Sequence, residues 1–127
     1  DLCQEMHGYL KDVSITDVVR AVYATLPEPA MTPAEAYRRL VRGGVAAVPA
    51  SDIEGRTVAV MVVPYPPGIP VIMPGERCGP ATRVIVDLLL SLQEFDTLFP
   101  GFENEVHGVD VVTRDGRQVY YVYCVVE

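Results

Sequence analysis

The order of local patterns predicts an α+β fold: helices first, then short strands, a long helix and a terminal hairpin, packed as one domain over residues 1–127. Three observations carry this reading. Apolar residues recur every three or four positions near the start of the chain and again over residues 80–98, the period of one helix face. β-branched residues crowd the stretch between those helices. Asp115-Gly116 lies between two apolar segments, a strong signal for a two-residue hairpin turn.

Residues 2–26 read as helical, with Val18, Val19, Val22 and Leu26 on one face. Ser14 or Thr16 is the expected cap, and Asp17 sits where the helix dipole favours an anion. Pro27 and Pro29 end the helix because proline has no amide hydrogen to donate. The next start signal is clearer. In Thr32-Pro33-Ala34-Glu35, Thr32 is the N-cap, Pro33 suits the first turn, and Glu35 completes a capping box. Ala36, Tyr37 and Leu40 are expected to face inward. Arg38, Arg39 and Arg42 form a solvated helix end, and Gly43-Gly44 stop it.

From Val45 the texture becomes that of strands. Residues 45–48 form a short apolar strand, residues 51–55 a turn, and residues 57–63 a buried strand. Pro64, Pro66, Pro67 and Pro70 then place four prolines in seven residues, which excludes helix and ladder pairing there. Residues 71–73 are a second short strand. Over residues 80–98 the stripe Val84, Leu88, Leu92 and Phe95, broadened by Ile85, Leu89 and Leu98, predicts the longest helix, ended by Pro100-Gly101. The hairpin strands are residues 109–113 and 118–125. Both faces of the second are fairly apolar, as in a strand covered on two sides or one that meets a partner.

At 127 residues the chain buries a core without a disulfide or a metal. A net charge of −7 argues against nucleic acid, whose phosphates demand clustered Lys and Arg. It is compatible either with plain solubility or with attraction of cationic ligands. No apolar run reaches the roughly 18 residues of a membrane span, and no signal-peptide pattern is visible. Opening on Asp1 rather than methionine, the chain is expected to be a piece of something longer. Cys3, Cys78 and Cys124 are odd in number and far apart, with neither His7 nor His107 at metal-ligand spacing. A reducing, cytoplasmic setting and no metal are therefore expected.

Little in the chain suggests chemistry. Ser14, Ser51 and Ser91 lack a nucleophile elbow. Glu103 and Glu105 beside His107 are the most tempting acid–base group, against the plainer reading of a hydrated loop. Lys11 is the sole lysine, and nothing around it suggests the desolvated pocket that Schiff-base chemistry requires. The rigid block from Pro64 to Glu76 admits two readings. It is a stiff crossover between strands, or the rim of a binding site with Tyr65 and Glu76 presented from it.

Three groups of residues resemble one family. Val63-Pro64-Tyr65-Pro66-Pro67-Gly68-Ile69-Pro70 with Met73-Pro74-Gly75-Glu76 is similar to a signature of the C-terminal domain of ornithine/lysine/arginine decarboxylases, large bacterial enzymes of fold type I. Leu26-Pro27-Glu28-Pro29 with Met31-Thr32-Pro33, and Phe99-Pro100-Gly101-Phe102-Glu103 with Val106-His107-Gly108, resemble two further elements of the same domain. The likeness covers roughly residues 20–110; the tail rests on pattern alone.

The resemblance implies a parent enzyme that removes the α-carboxylate of a basic amino acid with pyridoxal 5′-phosphate, giving a diamine or polyamine and CO2. The cofactor's lysine would lie in a large domain outside this chain, so no catalytic or cofactor-binding residue carries over and the fragment alone is expected to be inactive. The implied partners are that PLP-binding domain, a neighbouring subunit of a homo-oligomer and the basic substrate, with no nucleic acid or membrane. The expected rim of the substrate channel is Tyr65, Pro66, Pro67, Gly68 and Glu76, with Glu105 and His107. The alternatives are a free-standing regulatory or protein-binding module of the same fold, and a small enzyme using Glu105 and His107.

Overall fold

The computed structural model describes residues 1–12, 17, 20–22, 24, 27–65 and 68–126. The fold is α+β, as expected. α1 spans Leu2–Asp12, α2 Pro33–Val41 and α3 Arg83–Leu98. The strands are β1 (Glu28–Pro29), β2 (Val45–Pro49), β3 (Val63–Tyr65), β4 (Glu76–Arg77), β5 (Glu105–His107), β6 (Val109–Arg114) and β7 (Arg117–Val125). Short 3-10 turns occupy Ala50–Asp52 and Pro80–Thr82. Among the described residues no helix is long and apolar enough to cross a membrane.

α1 is capped by Asp1. The Asp1 carboxylate accepts from the Cys3 and Gln4 amides (2.7 and 3.2 Å), which satisfies donors that the first turn leaves free. Ser14, Thr16, Val18, Val19 and Leu26 lie outside the described residues. Val22 is buried in the core. In α2, Thr32 Oγ1 accepts from the Glu35 amide at 3.2 Å and Pro33 opens the helix, as read from the sequence. The Glu35 carboxylate, however, turns to Arg38 and Arg39 (3.0 and 3.2 Å) in place of closing a capping box. Ala36 is buried, but Tyr37 is 64% exposed and does not face the core. Gly43, at φ 76°, ends the helix as expected.

The central sheet is antiparallel in the order β2-β7-β6, and α3 lies across it. Ile85, Val86, Leu88 and Leu89 of α3 meet Tyr120, Val122 and Cys124 of β7 in the core. The expected helix stripe is right at Ile85, Leu88 and Leu89, while Leu98 is 52% exposed. The hairpin turns at Asp115 and Gly116, with φ of 51° and 76°, the positive pair that a two-residue turn of matching twist requires. The inner face of β7 is buried, and on the outer face Val119, Tyr121 and Tyr123 are half-buried and Val125 is buried. On the outer face Tyr123 donates to Asp110 Oδ2 (2.6 Å), and the Arg114 guanidinium stacks on Tyr121.

Two expectations change. Residues 57–63 are mostly buried but do not form one ladder. The Ala59 amide donates to the Tyr123 carbonyl and the Val125 amide to the Thr57 carbonyl, which extends the sheet where β6 has ended. The chain then leaves β7, and Val62 pairs with Ile72. Proline also does not exclude pairing. Pro64 sits inside β3 opposite Val106 of β5. Its carbonyl accepts from the Gly68 amide (2.9 Å), so its amide side also faces away from β5 and the missing hydrogen is not needed.

Two glycines allow backbone to cross backbone. Gly75, at φ 89°, lies against the Met31 carbonyl; Gly108, at φ 91°, lies against the Met61 carbonyl, and a β-carbon at either position collides with that oxygen. Gly75 thereby docks the Met31–Thr32 segment, and Gly108 docks the end of β5 beside the proline-rich strand. Gly116 has the same positive φ with open space around it. Gly108→Ala is therefore expected to cost about 3 kcal/mol or more, and Gly116→Ala about 1 kcal/mol. Urea midpoints of the two variants check this; equal losses contradict the steric account.

Candidate functional site

β3 and β5 form a three-residue antiparallel ladder with Tyr65 opposite Glu105, Pro64 opposite Val106 and Val63 opposite His107. Two sequence elements some forty residues apart are thus brought side by side. Val106 packs toward the core. Glu105 and His107 share the opposite face, as residues two apart on a strand must. Their side chains are 70% and 57% exposed, and His107 Nε2 lies 2.9 Å from Glu105 Oε1.

Of the expected rim residues, the structure joins Glu105 and His107 to the backbone of Tyr65. Pro66 and Pro67 lie outside the described residues. Gly68, at φ 80°, closes the turn after β3 through its bond to the Pro64 carbonyl. Glu76 belongs to another ladder, β1 with β4, opposite Pro29. Its Oε1 accepts from the Met73 amide at 2.6 Å, so the carboxylate is held within the turn over residues 73–76.

The polar centre that sequence reasoning missed is Asp96. It is 1% exposed on the inner face of α3. Its Oδ1 accepts from the Asn104 amide (2.7 Å) and from Asn104 Nδ2 (3.0 Å), and its Oδ2 accepts from the Tyr120 hydroxyl. A buried carboxylate is tolerable when its oxygens are used in this way. The signal was available: Asp96 follows Leu89 and Leu92 at seven and four residues, on the face that otherwise carries apolar side chains. Burial first, and then the bond to Asp96, push the Tyr120 phenol well above its usual range.

The remaining candidates have little chemical power. Burial pushes the Cys78 thiol up and the Cys124 thiol up to about 11, the reverse of what a thiolate nucleophile needs. Among the described residues no three His, Cys, Asp or Glu are grouped to hold a metal. Lys11 is exposed in the last turn of α1. An exposed lysine is a poor match for pyridoxal phosphate. A groove of about 300 Å3 runs beside Gln93, Thr97, Leu98 and Arg117, on elements other than β3 and β5. What Glu105 and His107 offer is a solvent-facing carboxylate and imidazole, suited to attracting or orienting a cation.

Comparison with known proteins gives a consistent answer. Residues 16–126 match the family described as Orn/Lys/Arg decarboxylase, C-terminal domain. The chain is 48% identical over its whole length to the lysine decarboxylase LdcA of Pseudomonas aeruginosa, of which it covers 17%. It is 39% identical over 125 residues to the biodegradative arginine decarboxylase of Escherichia coli, covering 98% of this chain and 16% of that enzyme. The solved E. coli constitutive lysine decarboxylase superposes with a TM-score of 0.88 at 36% identity, over 98% of this chain and 17% of that one.

The tyrosines generate a pH prediction. Burial against α3, then the nearby Glu94 carboxylate, push Tyr9 up to about 12, and Tyr120 is raised as well. A folded pKa above the unfolded value contributes stability that is complete below pH 10 and is lost as pH rises through the folded value. Thermal unfolding is expected to show Tm falling between pH 10 and pH 12, less steeply in Tyr9→Phe and Tyr120→Phe. A slope in both variants equal to that of the unsubstituted protein contradicts the assignment.

Proposed function

Because the chain belongs to the family of Orn/Lys/Arg decarboxylase C-terminal domains, we propose that it serves, without catalytic groups of its own, in a pyridoxal-phosphate-dependent enzyme that decarboxylates a basic amino acid. The observation that carries the reading is the β3–β5 ladder. Its two strands come from two of the three sequence elements that resemble this family, and it presents Glu105 and His107 to solvent. In this reading the face borders the substrate entrance, formed together with the PLP-binding domain and a neighbouring subunit of a homo-oligomer. Lysine, ornithine and arginine all carry a cationic side chain, and a carboxylate at the mouth, within a domain of net charge −7, draws such substrates in. The reading also holds that the enzyme works in the cytoplasm, where Cys3, Cys78 and Cys124 remain thiols.

The test uses the full-length enzyme and the isolated domain in parallel, each supplied with pyridoxal phosphate and each basic amino acid. The enzyme is expected to show cofactor absorbance and to release CO2; the domain is expected to do neither. CO2 release from a clean preparation of the domain overturns the reading. In the full-length enzyme kcat/KM is expected to fall as salt rises, since screening weakens attraction over distance. Glu105→Gln is expected to raise KM roughly two- to fivefold with kcat unchanged, the scale of one exposed charge. A KM that does not move removes Glu105 from the entrance.

A further inference from the structure

We propose that Asp96 is a positioning residue for the Glu105–His107 pair, acting through Asn104; the inference rests on the reading of that pair as part of the substrate entrance. β5 has three residues and pairs with three residues of β3, and a ladder of that length does not hold itself in water. Both of its ends are fastened. After His107, Gly108 is seated on the Met61 carbonyl. Before Glu105, the Asn104 amide and Nδ2 both donate to Asp96 Oδ1, at 2.7 and 3.0 Å, and Nδ2 also reaches the Leu92 carbonyl at 3.4 Å.

The other carboxylate oxygen is taken by Tyr120, which is fully buried on β7. Asp96 therefore ties the strand carrying the exposed pair to a sixteen-residue helix and to the central strand. The segment leading from the helix to Asn104 has weaker holds: the Phe102 amide on the Phe99 carbonyl, and the Gly101 amide on the exposed Glu103 carboxylate. Glu105 follows Asn104 directly, so loss of the clamp frees the carboxylate that faces the substrate. A charge displaced by an ångström or more orients a substrate less well.

The experiment uses the full-length enzyme with four substitutions: Asp96→Asn, Asn104→Ala, Tyr120→Phe and Glu105→Gln. In Asn104→Ala, amide hydrogen exchange at residues 105–107 is expected to rise about tenfold, since one local restraint is gone. KM is expected to rise roughly two- to fivefold, as for Glu105→Gln, with kcat within about twofold. Tyr120→Phe leaves both Asn104 bonds to Oδ1 in place. It is expected to lower Tm without moving KM, which separates positioning from stability alone. Should Asp96→Asn fail to fold, Asn104→Ala still tests the action through the Asn104 side chain, because it leaves the Asp96–Tyr120 bond and the backbone-amide bond intact. Asn104→Ala keeps the backbone-amide bond and loses both Nδ2 bonds, so unchanged exchange in it and in Asp96→Asn overturns the clamp, and unchanged exchange in Asn104→Ala alone removes the Asn104 side chain through which it is proposed to act. Raised exchange with unchanged KM, where Glu105→Gln does raise KM, overturns its role at the entrance. If Glu105→Gln itself leaves KM unmoved, the entrance reading falls and this inference falls with it.

Discussion

β7 is hydrogen-bonded along both edges by four different partners, and the rest of the fold is arranged to supply them. β2 pairs with its C-terminal half and ends with Pro49 opposite Tyr121. Beyond that point the edge is taken over by side chains of α3: Gln93 Oε1 accepts from the Tyr120 amide (2.8 Å) and Thr97 Oγ1 from the Gln118 amide (3.0 Å). On the other edge β6 pairs up to Val122, and residues 57–59 continue where it stops. A strand buried under a helix cannot leave amides unpaired, since each orphan costs on the order of 1–3 kcal/mol. This requirement accounts for the polar residues on α3, for the broken course of residues 57–63, and for α3 lying where it does.

The same helix reaches the candidate site through Asp96. One buried carboxylate joins the central strand, by way of Tyr120, to the lead-in of β5, by way of Asn104. Sheet, helix and surface ladder are therefore coupled by a polar contact inside an apolar layer. Such a contact contributes less net stability than well-packed hydrocarbon would, but it fixes geometry, because carboxylate and amide groups are satisfied only in narrow arrangements. The two glycine crossings act alike. Gly75 and Gly108 each let one segment rest on the carbonyl of another, and each lies in a sequence element that resembles the decarboxylase family. A β-carbon at either position would collide with that carbonyl, so both glycines have a structural requirement.

The buried cysteines are held as thiols, the lone lysine stands in solvent, and the histidine and glutamate that come together are both largely exposed. Enzymatic acid–base catalysis relies on groups shielded from water and tuned away from their ordinary behaviour. Glu105 and His107 are instead both open to solvent. The family relation identifies a C-terminal domain of a larger decarboxylase family, and these exposed or unactivated side chains are compatible with the reading proposed above.

Local features were legible in the residues. Thr32 and Pro33 start α2, Asp115-Gly116 turns the hairpin, and the apolar period of residues 80–98 marks α3, because caps, tight turns and helix faces depend on neighbours within a few positions. The family likeness was legible for the same reason, as it rests on contiguous motifs. Periodicity alone points Tyr37 inward, whereas the structure leaves it exposed. What the sequence by itself determined is the α+β class, the helix starts, the hairpin and the kinship. Only the tertiary structure decided that Pro64 joins a ladder, that Glu76 serves its own turn while Glu105 faces solvent, and that Asp96 is the polar centre. Each of these depends on which distant backbone comes alongside, and a carbonyl or amide brought from forty residues away leaves no local pattern to read.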